Sequence, residues 1–302
     1  MATLVEILRS DFLLREALLA GLLVGIVCPW VGVYFVLRRI IFLGVALPQA
    51  SAAGIALAFL LHNLGWHFLP HHVAERWMAL GGSLSLTFLT ILGLALLERR
   101  PGVSEGRIGA VFSVAGALSI LFVAANPFGE AHVLALLKGD IVTVGRDTLA
   151  FMTVAYSALF LALLAFHREL LLVSYDPEMA ITLGRSVTLW HVVLFSIVGT
   201  TIAIGVMTVG PMVVFGLLLL PPLAAYRMVR GVLPLCCVSS VLGLLSAFVG
   251  FYVAYRFDLP LGPTDVVTAA GVLVAATVFN AARRWTAARA SAPGRTQQPG
   301  LR

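Results

Sequence analysis

The sequence has 302 residues, of which 60% are hydrophobic and only 11% are charged, far below the roughly 25% charged residues of soluble domains. This composition excludes a soluble globular protein, and the apolar residues stand in solid runs rather than in the alternating pattern of a membrane barrel. The net charge of +6 does not indicate nucleic acid as a partner, because the arginines lie at the ends of apolar runs and in the carboxyl-terminal tail.

Apolar runs of about 20 residues, the length that crosses a lipid bilayer as a helix, follow one another along most of the chain. They predict an all-α, polytopic membrane helix bundle. The predicted spans cover approximately residues 17–37, 43–62, 78–97, 108–125, 149–167, 191–208, 212–229, 234–255 and 264–282. The pair Gly210-Pro211 leaves a count of eight open, because such a break can also be a kink within irregular packing.

One polar stretch, Tyr175 to Trp190, interrupts the apolar runs near the middle of the chain. Asp176 suits a helix N-cap, Pro177 suits the first helical position, and Glu178 complements the positive end of the helix dipole. Gly184 then supplies a stop. A helix this short is unstable alone in water, so the stretch predicts a contact surface that rests on the membrane domain, on another protein, or on both.

The basic residues predict an orientation in the membrane. With nine spans and a cytoplasmic polar stretch, the amino terminus is outside and the carboxyl terminus inside. The predicted exterior segments then hold six basic residues: Arg9, Arg15, Arg76, Lys138, Arg146 and Arg256. The other 14 of the 20 lie on the cytoplasmic side, in agreement with the positive-inside bias. Residues 291–302 are rich in Pro, Gly, Gln and Arg and predict a disordered cytoplasmic tail.

Four of the seven histidines fall close together in one predicted exterior loop. They are His62, His67, His71 and His72. Their spacing permits a zinc site, but spacing alone does not show that four ligands converge on one ion. A short aromatic loop at a membrane interface also collects histidine without a metal role, so both interpretations stay open.

Small residues inside the apolar runs predict packing rather than chemistry. We predict that the three cysteines occupy core positions and form no disulfide framework. They are Cys28, Cys236 and Cys237. The glycines predict close contacts between helices. The examples are Gly21, Gly25, Gly199 and Gly205.

Motifs for ATP binding and for covalent chemistry are missing from the sequence. There is no P-loop, no His-Glu-x-x-His, no Gly-x-Ser-x-Gly and no pair of carboxylates inside a predicted span. Charged residues inside a membrane normally mark ion or proton pathways, and the predicted spans contain almost none. An enzyme or a proton-driven pump is therefore disfavoured.

Four stretches, in this order, resemble the membrane permease of the metal-ion ABC importers, the family that takes up zinc, manganese or iron. They are Val36-Leu-Arg-Arg-Ile-Ile-Phe-Leu-Gly with the following Gly54-Ile-Ala-Leu-Ala-Phe, Ser104-Glu-Gly-Arg-Ile-Gly-Ala-Val-Phe, Asp176-Pro-Glu-Met-Ala-Ile-Thr-Leu-Gly, and Phe257-Asp-Leu-Pro-Leu-Gly-Pro-Thr. The resemblance implies a type II ABC importer-like permease domain over residues 1–290, forming a homodimer in a bacterial inner membrane.

The resemblance also implies partners and a mechanism. ATP and Mg²⁺ are expected on a separate ATPase chain, no cofactor on this chain, and a substrate-binding protein outside the membrane. In that family the segment corresponding to about residues 175–187 is the coupling helix, which fits a groove on the ATPase. The positions carried over are Asp176, Pro177, Glu178, Ala180 and Gly184, with Arg185 following where the family varies. Alternating access driven by the ATPase is the implied mechanism.

One departure from the family pattern concerns the substrate path. The family places an Asp and a His four residues apart in the second span, where this chain has Val45 and Gln49. Valine offers no ligand, glutamine offers only a neutral oxygen, and Pro48 frees a backbone carbonyl. The predicted path residues are Val45, Gln49 and Ser51. Either the metal passes this point in transit, or another ligand set binds it, or the substrate is not a bare ion.

The function implied is import of a divalent metal ion, with zinc expected first and manganese or iron as alternatives. An importer of a metal chelate or another small solute on the same architecture is the second hypothesis. A channel or carrier that works without an ATPase is the third, and the scarcity of charged residues inside the spans argues against it.

Overall fold

The computed structural model describes residues 14–38, 40–64, 74–97, 104–126 and 144–290, and all regular structure in these ranges is α-helical. The helices are α1 (Arg15–Arg38), α2 (Leu43–Asn63), α3 (Ala74–Leu97), α4 (Ser104–Ala124), α5 (Arg146–Ala165), α6 (His167–Tyr175), α7 (Pro177–Thr182), α8 (Val187–Val209), α9 (Pro211–Met228), α10 (Val232–Phe257) and α11 (Leu261–Ala290). The predicted tail, residues 291–302, lies outside the described ranges.

Within the described part of the chain, nine helices are long and apolar enough to cross a membrane, namely all except α6 and α7. They coincide with the predicted spans. Gly210 separates α8 from α9 because its φ of 86° and ψ of 160° lie outside the helical range. Pro211 then opens α9 at a position where no amide donor is needed. The count of nine is confirmed over the alternative of eight.

The centre of the bundle is formed by α1, α2 and α8, whose residues are mostly buried. Helices α3 and α4 pack on α2, while α10 packs on α1 and α11 packs on α9 and α10. Tyr34 and Leu47 belong to the fully buried core. The outer helices α4, α5 and α11 instead expose large apolar side chains, such as Ile120, Val154 and Val267, as expected of surfaces that face hydrocarbon.

Glycine pairs set the closest helix contacts. A methyl group added at Gly54 of α2 would overlap the carbonyl oxygen of Gly82 of α3, and the reverse overlap also holds. Gly25 of α1 and Gly243 of α10 form a second such pair. The packing prediction is correct for Gly25, whereas an added methyl group at Gly21 would have no neighbour within 4 Å among the described residues.

The other small residues largely follow the prediction. A methyl group at Gly205 would lie 2.7 Å from a Val214 methyl, and one at Gly199 would lie 3.3 Å from Ile91. Cys28 and Cys236 are buried and free. The core prediction is wrong for Cys237, which is free but exposed on α10, because consecutive helical residues point about 100° apart and cannot both face the core.

Candidate functional site

The polar stretch folds as the predicted short helix, α7. The Asp176 carboxylate caps it by accepting a hydrogen bond from the Met179 amide at 2.9 Å. Pro177 occupies the first turn, where its missing N–H costs nothing, and Glu178 stands beside the positive end of the dipole. The start of α7 is therefore formed by local contacts, as the sequence predicts.

The end of α7 is a Schellman motif, a left-handed turn that satisfies the last carbonyl groups of a helix. Gly184 has φ of 71°, and its amide donates to the Ile181 carbonyl at 2.9 Å. The Arg185 amide donates to the Ala180 carbonyl, also at 2.9 Å. Gly184 thus terminates the helix in the way the sequence predicts.

One side of α7 is docked and the other side is open. Ala180 is completely buried where α7 contacts α6 and α8. Four large apolar residues on and beside α7 are exposed, and we call them the α7 surface: Tyr175, Met179, Ile181 and Leu183. Nη2 of Arg185 lies 3.9 Å from Oε1 of Glu169 on α6. This ion pair is partly exposed and therefore contributes little to stability. Grouped apolar side chains on an otherwise polar segment are typical of a protein contact.

We expect a Gly184→Val substitution to loosen the end of α7. A β-branched residue in the left-handed region costs about 1–2 kcal/mol, so the Arg185 amide should exchange its hydrogen about tenfold faster. Hydrogen exchange with mass spectrometry on the purified protein measures this directly. A Gly184→Asn variant is the control, because asparagine tolerates the left-handed turn. Equal exchange in both variants would contradict the prediction.

The proposed path residues do not all share one face of α2. Val45 and Gln49 are one helical turn apart and both are half-buried. Pro48 lies within the helix and leaves the Gly44 carbonyl without its usual amide donor. The Val45 and Gln49 face therefore offers a neutral amide group but no charged ligand, and the carbonyl without a donor belongs to the neighbouring, buried Gly44.

Ser51 is held in a different environment. It is fully buried, and its hydroxyl lies 2.5 Å from the hydroxyl of Ser83 on α3. The Ser83 hydroxyl also lies within hydrogen-bonding distance, 3.3 Å, of the Ala203 carbonyl on α8. The structure thus brings Val45 and Gln49 together and places Ser51 in a buried hydrogen-bonded contact between helices.

The histidine loop is only partly within the described residues. His62 is half-buried in the last turn of α2. The other three histidines of the loop, His67, His71 and His72, lie outside the described ranges. Across the described ranges, no group of three or more His, Cys, Asp or Glu side chains is placed to hold a metal ion.

Sequence reasoning missed a carboxyl group inside the last span. Asp265 of α11 is 1% exposed, and its Oδ1 has no hydrogen-bond partner among the described residues. The side chain lies against Gly250 of α10, where an added methyl group would overlap Oδ1. The motif sought in the sequence was a pair of carboxylates inside a span, so this lone aspartate was not singled out. The sequence signal for it is the position of Asp265 directly after Gly-Pro-Thr.

Comparison with known proteins decides the family. The sequence model of the ABC 3 transport family matches residues 10–280. The chain belongs to the ABC 3 transport family. The resemblance to metal-ion ABC importer permeases is confirmed, and this permease is a multi-pass transport subunit of an ABC transporter rather than an enzyme.

Relatives of the permease are named for two metals. It is 26% identical over 264 residues to the manganese transport system membrane protein MntC of Halalkalibacterium halodurans, covering 87% of this chain and 86% of that protein. It is also 26% identical over 255 residues to the probable iron transport system membrane protein of Haemophilus influenzae, covering 84% and 85%. The structure of PsaBC from Streptococcus pneumoniae in complex with Fab matches with a TM-score of 0.78 and 23% identity, covering 91% of this chain and 94% of that one. This last match shows a shared fold.

Proposed function

We propose that this permease forms the membrane path of an ATP-driven importer of a divalent metal ion, with manganese as the first candidate. The observation that carries the proposal is the capped, docked α7 with its exposed apolar surface, in a chain that belongs to an ABC transport family. Such a surface suits a groove on a separate ATPase chain, which would bind the ATP and Mg²⁺. The permease itself would bind no cofactor and perform no covalent chemistry.

The proposed cycle is alternating access. A substrate-binding protein delivers the ion outside the membrane to a path between two copies of the permease. ATP-driven closure of the ATPases moves the coupling helix, formed by Asp176, Pro177, Glu178, Ala180 and Gly184 with Arg185, and the path reopens inward. In this proposal residues 1–290 form the permease domain in a bacterial inner membrane, with α7 and the carboxyl terminus in the cytoplasm and residues 291–302 as a tail.

Manganese replaces zinc as the first candidate for two reasons. The relatives reported above are named for manganese and iron. In addition, the Val45 and Gln49 face of α2 offers the amide oxygen of Gln49, and oxygen ligands suit Mn²⁺ better than the borderline-soft Zn²⁺. In this proposal Val45, Gln49 and Ser51 belong to the path, Gln49 makes a transient contact with the ion, and His62 together with the histidines outside the described residues remains a weak candidate for capture.

A metal chelate or another small solute is the second candidate. The Val45 and Gln49 face has no charged ligands, so it also suits a substrate whose charge is already neutralised. A carrier that works without an ATPase is the least supported, since the chain belongs to an ABC family. Asp265 does not change this order, because it is buried against α10 rather than aligned with Val45 and Gln49.

Metal accumulation in cells tests the proposal. Cells lacking the permease and any redundant importer are grown under manganese, iron or zinc limitation, and their metals are measured by elemental analysis. We expect a manganese deficit that the wild-type permease restores. A deficit in zinc or iron alone would retain import but reject manganese, whereas normal levels of all three would reject the metal proposal and favour another solute.

The same assay tests Gln49. A Gln49→Ala variant removes the amide oxygen from the proposed path, so we expect slower manganese uptake at unchanged permease abundance. Ser113→Ala is the control, because it removes an exposed hydroxyl that donates to the Gly109 carbonyl within α4 and leaves the proposed path residues and their contacts intact. Unchanged uptake with Gln49→Ala would remove this residue from the path.

A further inference from the structure

One face of α1 carries three polar or aromatic residues spaced one helical turn apart: Trp30, Tyr34 and Arg38. Residues four apart lie on the same side of a helix, so we call this set the α1 stripe. Its contacts run along α5 and α6, the two helices that lead into α7. These contacts connect positions that are more than 120 residues apart in sequence.

The contacts of the first two stripe residues, Trp30 and Tyr34, lie at the junction between α5 and α6. The Trp30 ring meets the Phe160 ring edge to face with centroids 5.0 Å apart, and the His167 ring at 6.4 Å. The Tyr34 hydroxyl lies 3.2 Å from Nδ1 of His167. Burial lowers the pKa of His167, which favours the neutral ring, and Nδ1 of that ring can accept a hydrogen bond from the Tyr34 hydroxyl.

Arg38, in the last turn of α1, makes the contact nearest to α7. Its Nε donates to the Ser174 hydroxyl at 3.1 Å, one residue before α6 ends at Tyr175. Its guanidinium carbon lies 5.6 Å from the centre of the Phe195 ring of α8. A planar guanidinium can donate in its plane and stack on an aromatic face at the same time, which an ammonium group cannot do. Arg38 therefore holds α1, α6 and α8 together at one point.

Arg38 also connects helices that lead to both candidate sites. On one side, Ser174 is followed by Asp176, the cap of α7, and the Arg185 to Glu169 ion pair ties the end of α7 to α6. On the other side, α1 is followed closely by α2, which carries Gln49. A displacement of α6 can therefore reach this part of the proposed path through the stripe contacts.

We propose that Arg38 is a positioning residue that transmits movement of α6 to α1 and α2, and so couples ATP hydrolysis to transport. The inference rests on the proposed function. It predicts a specific defect: a permease with a weakened Arg38 contact folds and supports hydrolysis by its ATPase, but moves less substrate for each ATP hydrolysed.

The test uses the complete transporter, reconstituted in lipid vesicles with its ATPase and substrate-binding protein. Mn²⁺ uptake and ATP hydrolysis are measured in the same sample, and their ratio is the readout. For Arg38→Lys, which keeps the charge but loses the planar contact, we expect the ratio to fall about fivefold. Arg230→Lys is the matched control, because Arg230 is an exposed arginine that follows α9, and its ratio should equal the wild-type value.

Ser174→Ala tests the same contact from the other side. It removes one hydroxyl and should lower the ratio in the same direction, with no further fall when it is combined with Arg38→Lys. If Arg38→Lys prevents assembly, Ser174→Ala alone decides the question. An unchanged ratio in Ser174→Ala and in every Arg38→Lys sample that assembles would overturn the inference while leaving the proposed function intact. Absence of Mn²⁺ uptake by the wild-type transporter would overturn the manganese proposal itself.

Discussion

A Gly54→Leu variant of the permease should be almost absent from the membrane. Any side chain at Gly54 meets the backbone of Gly82 on α3, and backbone cannot move aside as a flexible side chain can. Overpacking by even a few carbon atoms costs about 1–3 kcal/mol or more, against a total stability of about 5–15 kcal/mol. Separating α2 from α3 would also break the hydroxyl contact between Ser51 and Ser83. The folded amount is measured by fluorescence-detected size-exclusion chromatography of a tagged permease.

A smaller change at two glycines gives the control for this prediction. Gly54→Ala and Gly21→Ala add the same methyl group to buried positions of two central helices. We expect a clear loss of thermal stability for Gly54→Ala and almost none for Gly21→Ala, since among the described helices only the first methyl group meets a neighbour. Equal melting temperatures would show that the α2 to α3 contact is not as close as described.

An Ala180→Glu variant should assemble in the membrane but transport almost nothing. Ala180 is completely buried on the docked side of α7, so the longer, charged side chain of glutamate cannot be accommodated there without moving α7. Burying an unpaired charge costs several kcal/mol, more than the docking of a six-residue helix can offset. The introduced carboxylate would therefore turn outward and carry α7 away from α6, so the α7 surface could no longer meet an ATPase in one fixed position.

The measurement is Mn²⁺ uptake by the reconstituted transporter at matched permease amounts, where we expect a fall of about tenfold or more for a change of this energy. Ala180→Ser is the control, because its hydroxyl is small and can bond to the preceding turn of the helix, so uptake should stay near wild type. Full uptake by Ala180→Glu would show that docking of α7 is not needed for transport.

The features that the sequence predicted well depend on neighbours along the chain. The span count follows from runs of apolar residues, and α7 follows from Asp176 bonding three residues ahead and Gly184 turning the backbone. These interactions are complete within one or two helical turns, so residue type and spacing are sufficient to predict them.

The features that the sequence did not predict depend on contacts between distant helices. Arg38 and Ser174 are 136 positions apart, and no local pattern pairs them. Gly21 and Gly25 look alike in sequence, yet only Gly25 faces another backbone. Ser51 lies two residues after Gln49, yet residues two apart point to different sides of a helix, and Ser51 contacts Ser83 of α3. Which side of a helix meets which neighbour is decided by packing.

The buried Asp265 has a consequence for how the protein is made. A lone aspartate raises the cost of inserting an isolated helix into the bilayer, by up to about 3 kcal/mol near the centre, yet α11 carries it one turn after its start. Gly250 on the preceding helix leaves space for this carboxyl group, and only residues 258–260 separate the two helices, with Asp258 in a left-handed turn. Helices α10 and α11 are therefore suited to leave the insertion machinery together, as a preassembled hairpin that hides its carboxyl group from lipid.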